Sequence, residues 1–325
     1  MRVPITTIVA VCLLPVAIAH AQGRADYTGY PVRPVRLVVP FTPGALNDFI
    51  GRTMATKLTE FWGQQVVVDN RAGGNTVTGT EIVARAPPDG HTLVGLSIIH
   101  AISPSVHPKL PYDLLRELAS ISNLCSSPFV LIVHPAVPAK SLKEFIALAR
   151  ARPGALAYGS SGTGGAQHLM GEMLAMMSGI KLLHVPYKGG SPMLTDVMGG
   201  QLQFTFLSHA TTGQHVKAGR LRALAVTSAK RSPATPDLPP MAEEFPGYDA
   251  TPWWSFAAPA ATPRPLLARL HRDLLRALQT PDVRERFNAQ GLDIIGSPPD
   301  EAHAHLREEI ARWTKVVKAA NIRPD

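Results

Sequence analysis

Cysteine is nearly absent from this chain of 325 residues, which contains only Cys12 and Cys125. Cys12 lies in an N-terminal leader that we expect to be removed, so one thiol remains and no internal disulfide can form. Cys125 stands between Leu124 and Ser126 in an apolar run, which favours a buried, inert thiol. A catalytic cysteine is the alternative, and no motif in the sequence supports it.

Long apolar runs are also missing after the first twenty residues. The N-terminus has a positive start at Arg2, an apolar stretch over Ile5–Ile18 and the small-x-small pattern Ala19-His20-Ala21. This arrangement predicts a secretory signal peptide over residues 1–21, and the stretch is short for a membrane span. Cys12 follows Val11 rather than a small residue, which argues against a lipid anchor. We therefore expect an exported, soluble mature protein.

The charges form no concentrated patch. The chain has 32 Lys and Arg against 24 Asp and Glu, and its net charge of +8 is spread along the sequence. Without a compact basic run interleaved with aromatic residues, a nucleic-acid partner is not expected, although a mild positive field would collect small anions. The twelve histidines show no metal-binding spacing, since even His303 and His305 lie on different helix faces. The sequence predicts no metal and no cofactor.

Hydrophobic periodicity indicates an α/β protein. The first half predicts the strand Val35–Pro40, the helix Phe49–Trp62, the strand Gln65–Asp69, the helix Thr78–Arg85 and the strand His91–Leu96. This βαβαβ order is typical of an open parallel sheet.

The same alternation begins again in the second half. Ser141 and Glu144 form a capping box at the start of a helix. A strand over 156–158, a helix over 166–177 and a strand over 182–185 follow. Near the C-terminus, Ser297 is expected to cap a long helix with a buried stripe made of Leu306, Ile310, Trp313 and Val317.

The loop over residues 41–48 lies between the first strand and the first helix. Thr42-Pro43-Gly44 is a turn sequence, and Asp48 is expected to cap the helix that follows. Free backbone N–H groups at the positive end of a helix dipole attract an anion such as a carboxylate or phosphate. An ordinary strand-to-helix turn is the alternative, and the loop alone does not exclude it.

The second notable loop, Gly159–Gly165, contains four glycines in seven residues and also leads from a strand into a helix. Its glycines allow close approach of a ligand, while Ser160, Ser161 and Thr163 add hydroxyl groups. Three enzyme motifs fail here. A phosphate-binding P-loop requires Gly-Lys-Ser/Thr, but Gly164 is followed by Gly165. A dinucleotide fingerprint requires glycine at the position of Gln167, and a nucleophile elbow requires glycine at the position of Thr163. A Gly-rich connector remains an alternative.

Two α/β halves that each carry an anion loop suggest a receptor. Ligands of open α/β sheets bind at the carboxyl ends of the strands, so facing halves would direct both loops into one cleft. Closing the halves around a ligand would be a hinge motion.

Several segments, in order, resemble the tripartite tricarboxylate transporter solute receptors, the Bug family of periplasmic binding proteins. The resemblance covers about Tyr30 to Ile322. It is carried by Tyr30-Pro-Val-Arg-Pro-Val-Arg-Leu-Val-Val-Pro-Phe41, Val68-Asp-Asn-Arg71, Pro88-Asp-Gly-His-Thr-Leu93, Leu110-Pro-Tyr-Asp113, His184-Val-Pro-Tyr-Lys-Gly189, Ala218-Gly-Arg-Leu-Arg-Ala-Leu-Ala-Val-Thr-Ser228 and Ala258-Pro-Ala.

The resemblance implies a type II periplasmic-binding-protein fold, with two Rossmann-like lobes around a ligand cleft. Lobe 1 is expected over 27–129 and 253–325, and lobe 2 over 130–252. In this family a carboxylate is held mainly by backbone N–H groups and bridging waters. Carried over by position, the ligand contacts are Phe41, Thr42, Pro43, Gly44, Ala45, Leu46, Asn47, Asp48, Ser97 and His100 in lobe 1, and Ser160, Ser161, Gly162, Thr163, Gly164, Gly165, Gln167, Tyr187 and Ser208 in lobe 2.

Two departures from the family pattern bear on the ligand. Pro43-Gly44 is followed by Ala45 and bulky Leu46 where the family often has a second glycine, which would narrow the pocket. Ser208 stands where the family often has Asp or Asn, a partner for an amine, so an amino-acid ligand is disfavoured.

The resulting expectation is a monomeric periplasmic receptor, not an enzyme, that captures a small organic carboxylate for the membrane permease subunits of a tripartite tricarboxylate transporter. One alternative is a receptor that signals to a membrane sensor. Another is an exported serine hydrolase using Ser160 or Ser161, for which no motif supplies a base.

Overall fold

A computed structural model describes residues 27–107 and 109–322. The expected signal peptide over 1–21 lies outside these residues. The described residues form two β-sheets with helices packed against them. No helix in this part of the chain is long and apolar enough to cross a membrane.

Eleven strands and eleven α-helices make up the described chain. The strands are β1 (Val35–Val39), β2 (Val66–Asn70), β3 (Thr92–Ser97), β4 (Leu118–Ser126), β5 (Phe129–Val133), β6 (Ala157–Ser160), β7 (Leu183–Pro186), β8 (Phe204–Ser208), β9 (Arg222–Val226), β10 (Trp253–Pro259) and β11 (Asp293–Ile294). The helices are α1 (Leu46–Trp62), α2 (Val77–Ala84), α3 (Ile98–Val106), α4 (Leu114–Glu117), α5 (Leu142–Ala151), α6 (Ala166–Ser178), α7 (Gly190–Met198), α8 (His209–Lys217), α9 (Arg264–Leu278), α10 (Pro281–Ala289) and α11 (Pro299–Ala319).

The three strands of the predicted βαβαβ segment are parallel as expected, but both sheets are mixed because later strands add antiparallel pairs. The first sheet has the order β11-β4-β10-β3-β1-β2, in which β1 is parallel to β2 and β3, and β10 is antiparallel to β3 and β4. The second has the order β7-β6-β8-β5-β9, with β5 antiparallel to both neighbours. The chain leaves the first sheet after β4 and returns in β10, which accounts for the antiparallel strands that the local βα rhythm does not reveal.

The helix starts differ from the predicted ones in two places. Helix α1 begins at Leu46 with Ala45 as its N-cap, so Asp48 is its third residue and not its cap. Helix α11 begins after Pro298, so the expected Ser297 cap was also wrong. The Ser297 hydroxyl instead accepts a hydrogen bond from the Asn123 N–H at 3.1 Å, which joins the segment before α11 to β4.

Other local predictions are confirmed. The Ser141 hydroxyl accepts the Glu144 N–H, while the Glu144 carboxylate accepts the Lys140 N–H, so the acidic arm of the box is displaced by one residue. Cys125 is buried and free. In α11, Leu306, Trp313 and Val317 are buried, whereas Ile310 is half-buried.

Helix α11 connects the two halves of the fold. It packs against α3, beside the first sheet, and against α6, beside the second. Its buried Glu309 accepts hydrogen bonds from the indole N–H groups of Trp253 and Trp313 at 3.0 and 3.1 Å. Burial raises the pKa of the Glu309 carboxyl, although Arg312 opposes this effect. The Tyr248 hydroxyl donates to the Met170 carbonyl at 3.1 Å, a bond within the second half that ties the segment after β9 to α6.

Close approach of a helix to its sheet depends on one glycine in each of α1 and α6. A Cβ on Gly51 would lie 2.9 Å from Val39 Cγ2, and a Cβ on Gly171 would lie 2.4 Å from the Tyr158 ring. Tyr158 is fully buried in β6, and its hydroxyl lies 2.8 Å from Glu172 Oε1 and 3.1 Å from the His168 carbonyl oxygen. These contacts fix where each helix begins relative to the strand before it.

We predict that Gly171→Ala lowers the free energy of unfolding by about 1–3 kcal/mol, because the added methyl group must displace Tyr158 or α6. The helix-propensity gain of about 1 kcal/mol from Gly to Ala would not offset this steric cost. Urea unfolding followed by circular dichroism measures the change. The matched control is Gly190→Ala, where the new Cβ would meet Leu207 Cδ2 at an ordinary 3.8 Å. Equal stability of Gly171→Ala and the wild type would contradict the prediction.

Candidate functional site

The loops that precede α1 and α6 have the same local geometry. In the first loop, Gly44 has a left-handed φ of 82° and Ala45 is an extended N-cap with φ −72° and ψ 162°. In the second, Gly164 has φ 73° and Gly165 has φ −74° and ψ 168°. Each N-cap N–H donates to the carbonyl three residues earlier, at 3.4 Å in the first loop and 3.2 Å in the second.

The third residue of each helix holds its loop in the same way. Asp48 Oδ2 accepts the Gly44 N–H at 2.9 Å, and His168 Nδ1 accepts the Gly164 N–H at 3.0 Å. The two loops therefore share one construction, in which a side chain from the first helical turn binds the loop two residues before the helix. Neither N-cap residue supplies a side-chain cap to its own helix.

The first turns of α1 and α6 consequently present backbone donors. Within the described residues, the N–H groups of Leu46, Asn47 and Asp48 have no acceptor, and neither do those of Ala166 and Gln167. Unpaired N–H groups at the positive end of a helix dipole suit an anion. Each set follows the carboxyl end of a parallel strand, β1 in the first sheet and β6 in the second.

Asp48 braces the first loop from the inside. It is 4% exposed, and besides Gly44 it accepts hydrogen bonds from Arg52 Nε and Asn70 Nδ2, both at 3.0 Å. Burial alone would raise the pKa of its carboxyl, but the hydrogen bonds from Arg52, Gly44 and Asn70 hold that pKa below its usual value. Asn70 also donates to the Phe41 carbonyl at 3.1 Å, so the end of β2 supports the loop.

Ser97 and His100 lie at the start of α3. The Ser97 N–H donates to His100 Nδ1 at 3.0 Å, so the proton of the neutral ring is assigned to Nε2. His100 is fully buried, which lowers its pKa to about 3 despite the hydrogen bond from Ser97. Its Nε2 has no hydrogen-bond partner in the described part of the chain. The Phe41 ring lies edge-on to the imidazole at a centroid distance of 6.1 Å.

Several second-sheet residues that were predicted to contact a ligand are paired with one another by hydrogen bonds. The Ser161 hydroxyl donates to Gln167 Oε1 at 2.8 Å, and the Tyr187 N–H donates to the Ser160 carbonyl at 2.8 Å. The Tyr187 hydroxyl donates to Asp196 at 2.6 Å. Ser208 stands apart as the cap of α8, where its hydroxyl accepts the Thr211 N–H at 3.3 Å.

A pair of stacked histidines, which sequence reasoning missed, supports the second loop. The His168 and His184 rings are 3.7 Å apart and nearly parallel, at 6°. His184 Nε2 lies 2.6 Å from the Ser160 hydroxyl, so the structure places a base beside Ser160 after all. Ser160 is fully buried, however, and a hydroxyl that donates its one proton to the Gly162 carbonyl at 2.9 Å must accept from His184 Nε2, which then does not act as its base. This geometry fits a support for the loop rather than a nucleophile open to substrate.

Two close approaches connect the parts of the site. A Cβ on Gly164 would lie 3.6 Å from Val106 at the end of α3, the helix that begins with Ser97 and His100. A Cβ on Gly291, after α10, would lie 4.0 Å from the Ala210 N atom in the first turn of α8. No hydrogen bond joins the two anion loops directly within the described chain. Across those residues, no cluster of three or more His, Cys, Asp or Glu side chains could hold a metal ion.

We predict that the folded protein loses stability as the pH falls from about 6.5 towards 4. Burial, with a contribution from His184, lowers the pKa of His168 to about 4. Because the unfolded chain then binds more protons between these two pH values, the stability from neutral His168 is present above about 6.5 and is lost on acidification. The loss from this residue is up to about 3 kcal/mol.

Urea unfolding between pH 7 and pH 4 tests this expectation. His168→Asn retains an acceptor for the Gly164 N–H but cannot be protonated, so its stability should depend less steeply on pH. His303→Asn is the control, since His303 lines a separate pocket with Arg264 and Asp300. If the free energy of unfolding depends on pH as steeply in His168→Asn as in the wild type, protonation of His168 does not cause the loss of stability.

The comparisons with known proteins agree with this geometry. A profile described as "Tripartite tricarboxylate transporter family receptor" matches residues 50–322. Protein BugT of Bordetella pertussis is 35% identical over 316 residues, which cover 96% of this chain and 97% of BugT.

Two solved structures extend the similarity to the fold. The structure described as R. palustris Rpa4515 with adipate is 35% identical, with a TM-score of 0.77 over 91% of this chain and all of that one. MatC (Rpa3494) from Rhodopseudomonas palustris with bound malate is 28% identical, with a TM-score of 0.72 over 89% of this chain and all of that one. The predicted fold class is therefore confirmed, as is the expectation of a receptor rather than an enzyme. The chain belongs to the tripartite tricarboxylate transporter family receptors, the periplasmic solute-binding proteins that include the Bug proteins.

Proposed function

We propose that this receptor captures a small organic carboxylate and delivers it to the membrane permease subunits of a tripartite tricarboxylate transporter. The observation that carries the proposal is the pair of open helix starts, α1 and α6, each placed at the carboxyl end of a parallel strand. A carboxylate accepts several hydrogen bonds and carries the charge that a helix N-terminus favours.

Six other helices of the described chain limit their free first-turn donors in one of two ways, whereas α2 and α7, like α1 and α6, have neither a side-chain cap nor a proline at the first positions. Side chains cap α4, α5 and α8 through Asp113, Ser141 and Ser208. Helices α9, α10 and α11 have a proline in the first turn, which removes one free donor. In α1 and α6 the polar side chain at the third position binds the preceding loop instead, so the first-turn donors remain available to a ligand.

The proposal includes the two-lobe organisation. Lobe 1 comprises residues 27–129 and 253–325, and lobe 2 comprises residues 130–252, with a ligand cleft between them. The close approach of Gly164 to Val106 and of Gly291 to Ala210 supports an arrangement in which residues of the two lobes lie near each other. The ligand-binding residues are the nineteen positions carried over from the family, from Phe41 to Asp48, Ser97 and His100 in lobe 1, and Ser160 to Gly165, Gln167, Tyr187 and Ser208 in lobe 2.

The proposed roles differ within this set. Backbone N–H groups of Leu46 and Asn47 in α1 and of Ala166 and Gln167 in α6 bind the carboxylate, while Asp48 braces its own loop. Ala45 and Leu46 limit the size of the ligand in lobe 1. Ser208 already caps α8, which agrees with a ligand that lacks an amine. Adipate and malate, bound by two structurally similar proteins, support a dicarboxylate as the first class to test.

The periplasmic location that the family indicates fits a signal peptide over 1–21, and we propose export followed by cleavage after Ala21.

A carboxylate panel tests the ligand class. Mono-, di- and tricarboxylates should raise the melting temperature, whereas the matched amides should not, and calorimetry should confirm one-to-one binding. Binding of another solute class with no response to carboxylates would refute the proposal.

We predict that Ala166→Pro weakens carboxylate binding by about tenfold. Proline is tolerated at the first position of a helix, and the extended Gly165 is compatible with a following proline. The substitution therefore removes one N–H donor from α6 while keeping the helix. A net contribution of about 1.5 kcal/mol is expected for a hydrogen bond to a charged acceptor.

Calorimetry on Ala166→Pro and Ala166→Ser makes the comparison, because serine keeps the N–H group. Urea unfolding of both variants verifies that α6 remains folded. Ala166→Ser should bind as the wild type does within about twofold. Wild-type affinity in a folded Ala166→Pro protein would remove the α6 N-terminus from the binding site.

A further inference from the structure

The four tryptophans differ in how their indole N–H groups are paired. Trp62 donates to Asp273 at 2.8 Å, while Trp253 and Trp313 donate to Glu309 at 3.0 and 3.1 Å. Each of these three groups therefore has a carboxylate partner. Trp254 Nε1 is buried and has no partner in the part of the chain that the structure describes. A buried indole N–H normally finds an acceptor, so this exception needs an explanation.

Trp254 lies close to the first anion loop. It belongs to β10 and pairs directly with Ser97 of β3, the residue that precedes α3. Side chains at directly paired positions of an antiparallel sheet share one face. The residue is 7% exposed, so its indole is almost completely removed from solvent.

A small cavity connects Trp254 to the start of α1. It has a volume of about 10 Å³ and is lined by Trp254 together with Val39, Asn47, Ile50 and Gly95, among others. Gly95 contributes no side chain there, which leaves space between β1 and β10 beneath the first turn of α1. The volume corresponds to about one water-sized group, such as a single ligand oxygen or a water molecule.

The first turn of α1 and the indole of Trp254 thus offer donors around the same small space. Asn47 is in that turn, and its N–H has no acceptor in the described chain. The buried carboxylate of Asp48, which follows Asn47 in the chain, already accepts hydrogen bonds from Gly44, Arg52 and Asn70. An acceptor for Trp254 must therefore come from elsewhere.

We propose that Trp254 is a ligand-binding residue, whose indole N–H donates a hydrogen bond to a carboxylate oxygen of the bound solute. This inference rests on the proposed carboxylate function and adds to it one side-chain donor in β10. The bound carboxylate would accept the Trp254 indole N–H, as Asp273 and Glu309 accept those of the other three tryptophans. Its oxygen would then be shared between the helix terminus of α1 and an aromatic donor with a fixed direction, which restricts how the ligand can be oriented.

The indole resonances test the inference in the intact protein. Protein labelled with ¹⁵N-tryptophan should give four indole N–H signals, which single Trp→Phe variants assign. Addition of adipate or malate should move the Trp254 signal downfield, while the signals of Trp62 and Trp313 change little because their carboxylate partners are internal. This measurement uses the wild-type chain, so it does not depend on whether a variant folds.

Calorimetry then measures the contribution of the indole N–H. Trp254→Phe keeps an aromatic ring but removes the donor, and we expect its affinity for the same ligand to fall by about ten- to a hundredfold. Trp62→Phe is the matched control, since it loses an indole N–H bonded to Asp273, and it should bind within about twofold of the wild type. An unchanged Trp254 signal together with wild-type affinity of Trp254→Phe would overturn the inference and leave the carboxylate function intact. Failure of the wild type to bind any carboxylate would overturn both.

Discussion

The backbone N–H groups in the first turn of a helix must find acceptors, and the candidate site of this receptor is organised by that requirement. In α4, α5 and α8 a side chain of the N-cap residue supplies the acceptor. In α1 and α6 the N-cap residues are Ala45 and Gly165, which have no side-chain acceptor to offer. In the proposed site a ligand would supply the missing acceptor, at the carboxyl end of one parallel strand in each sheet.

Asp48 and His168 make this arrangement rigid. Each is the third residue of its helix and accepts the N–H of a glycine in the preceding loop, Gly44 or Gly164. Both glycines have positive φ, a conformation that most other residues adopt only with strain. The loops are therefore held in place without a ligand, which would reduce the entropy lost if a ligand binds to them as proposed. The two side chains differ in charge. Hydrogen bonds keep the Asp48 carboxyl ionised, whereas burial keeps the His168 ring neutral.

The sequence predicts what is local and misses what depends on strand register. Both loops, the strand before each and the helix after each follow from Gly, Pro and β-branched residues at short range. Aspartate favours the N-cap, which predicts a cap at Asp48, but the Asp48 side chain binds Gly44 and the helix starts at Leu46, three residues before Phe49. Helix α3 was not predicted, and Pro104 inside it is a residue that normally signals a break.

The supporting residues of the site come from other strands. Asn70 at the end of β2, His184 in β7 and Trp254 in β10 meet the loops only because the sheets have the orders that they do. No spacing in the sequence relates them to Gly44 or Gly164. The antiparallel return of β10 brings Trp254 beside Ser97, and the βαβαβ pattern of the first half does not predict it.

The pairing of two open helix ends also favours a carboxylate over a phosphate. A helix terminus provides roughly half a positive charge, which suits one carboxylate better than a phosphate dianion. A phosphate site of the P-loop kind adds a lysine, whereas Arg52, the cation in the network of the first loop, is bound to Asp48 and Asn70. His100 and His168 are neutral because burial lowers the pKa of each ring, so they add no charge. The N-termini of α1 and α6, each with a modest positive potential, match a ligand that carries two separate single negative charges. A neutral donor such as the Trp254 indole would orient the ligand through a hydrogen bond without adding charge.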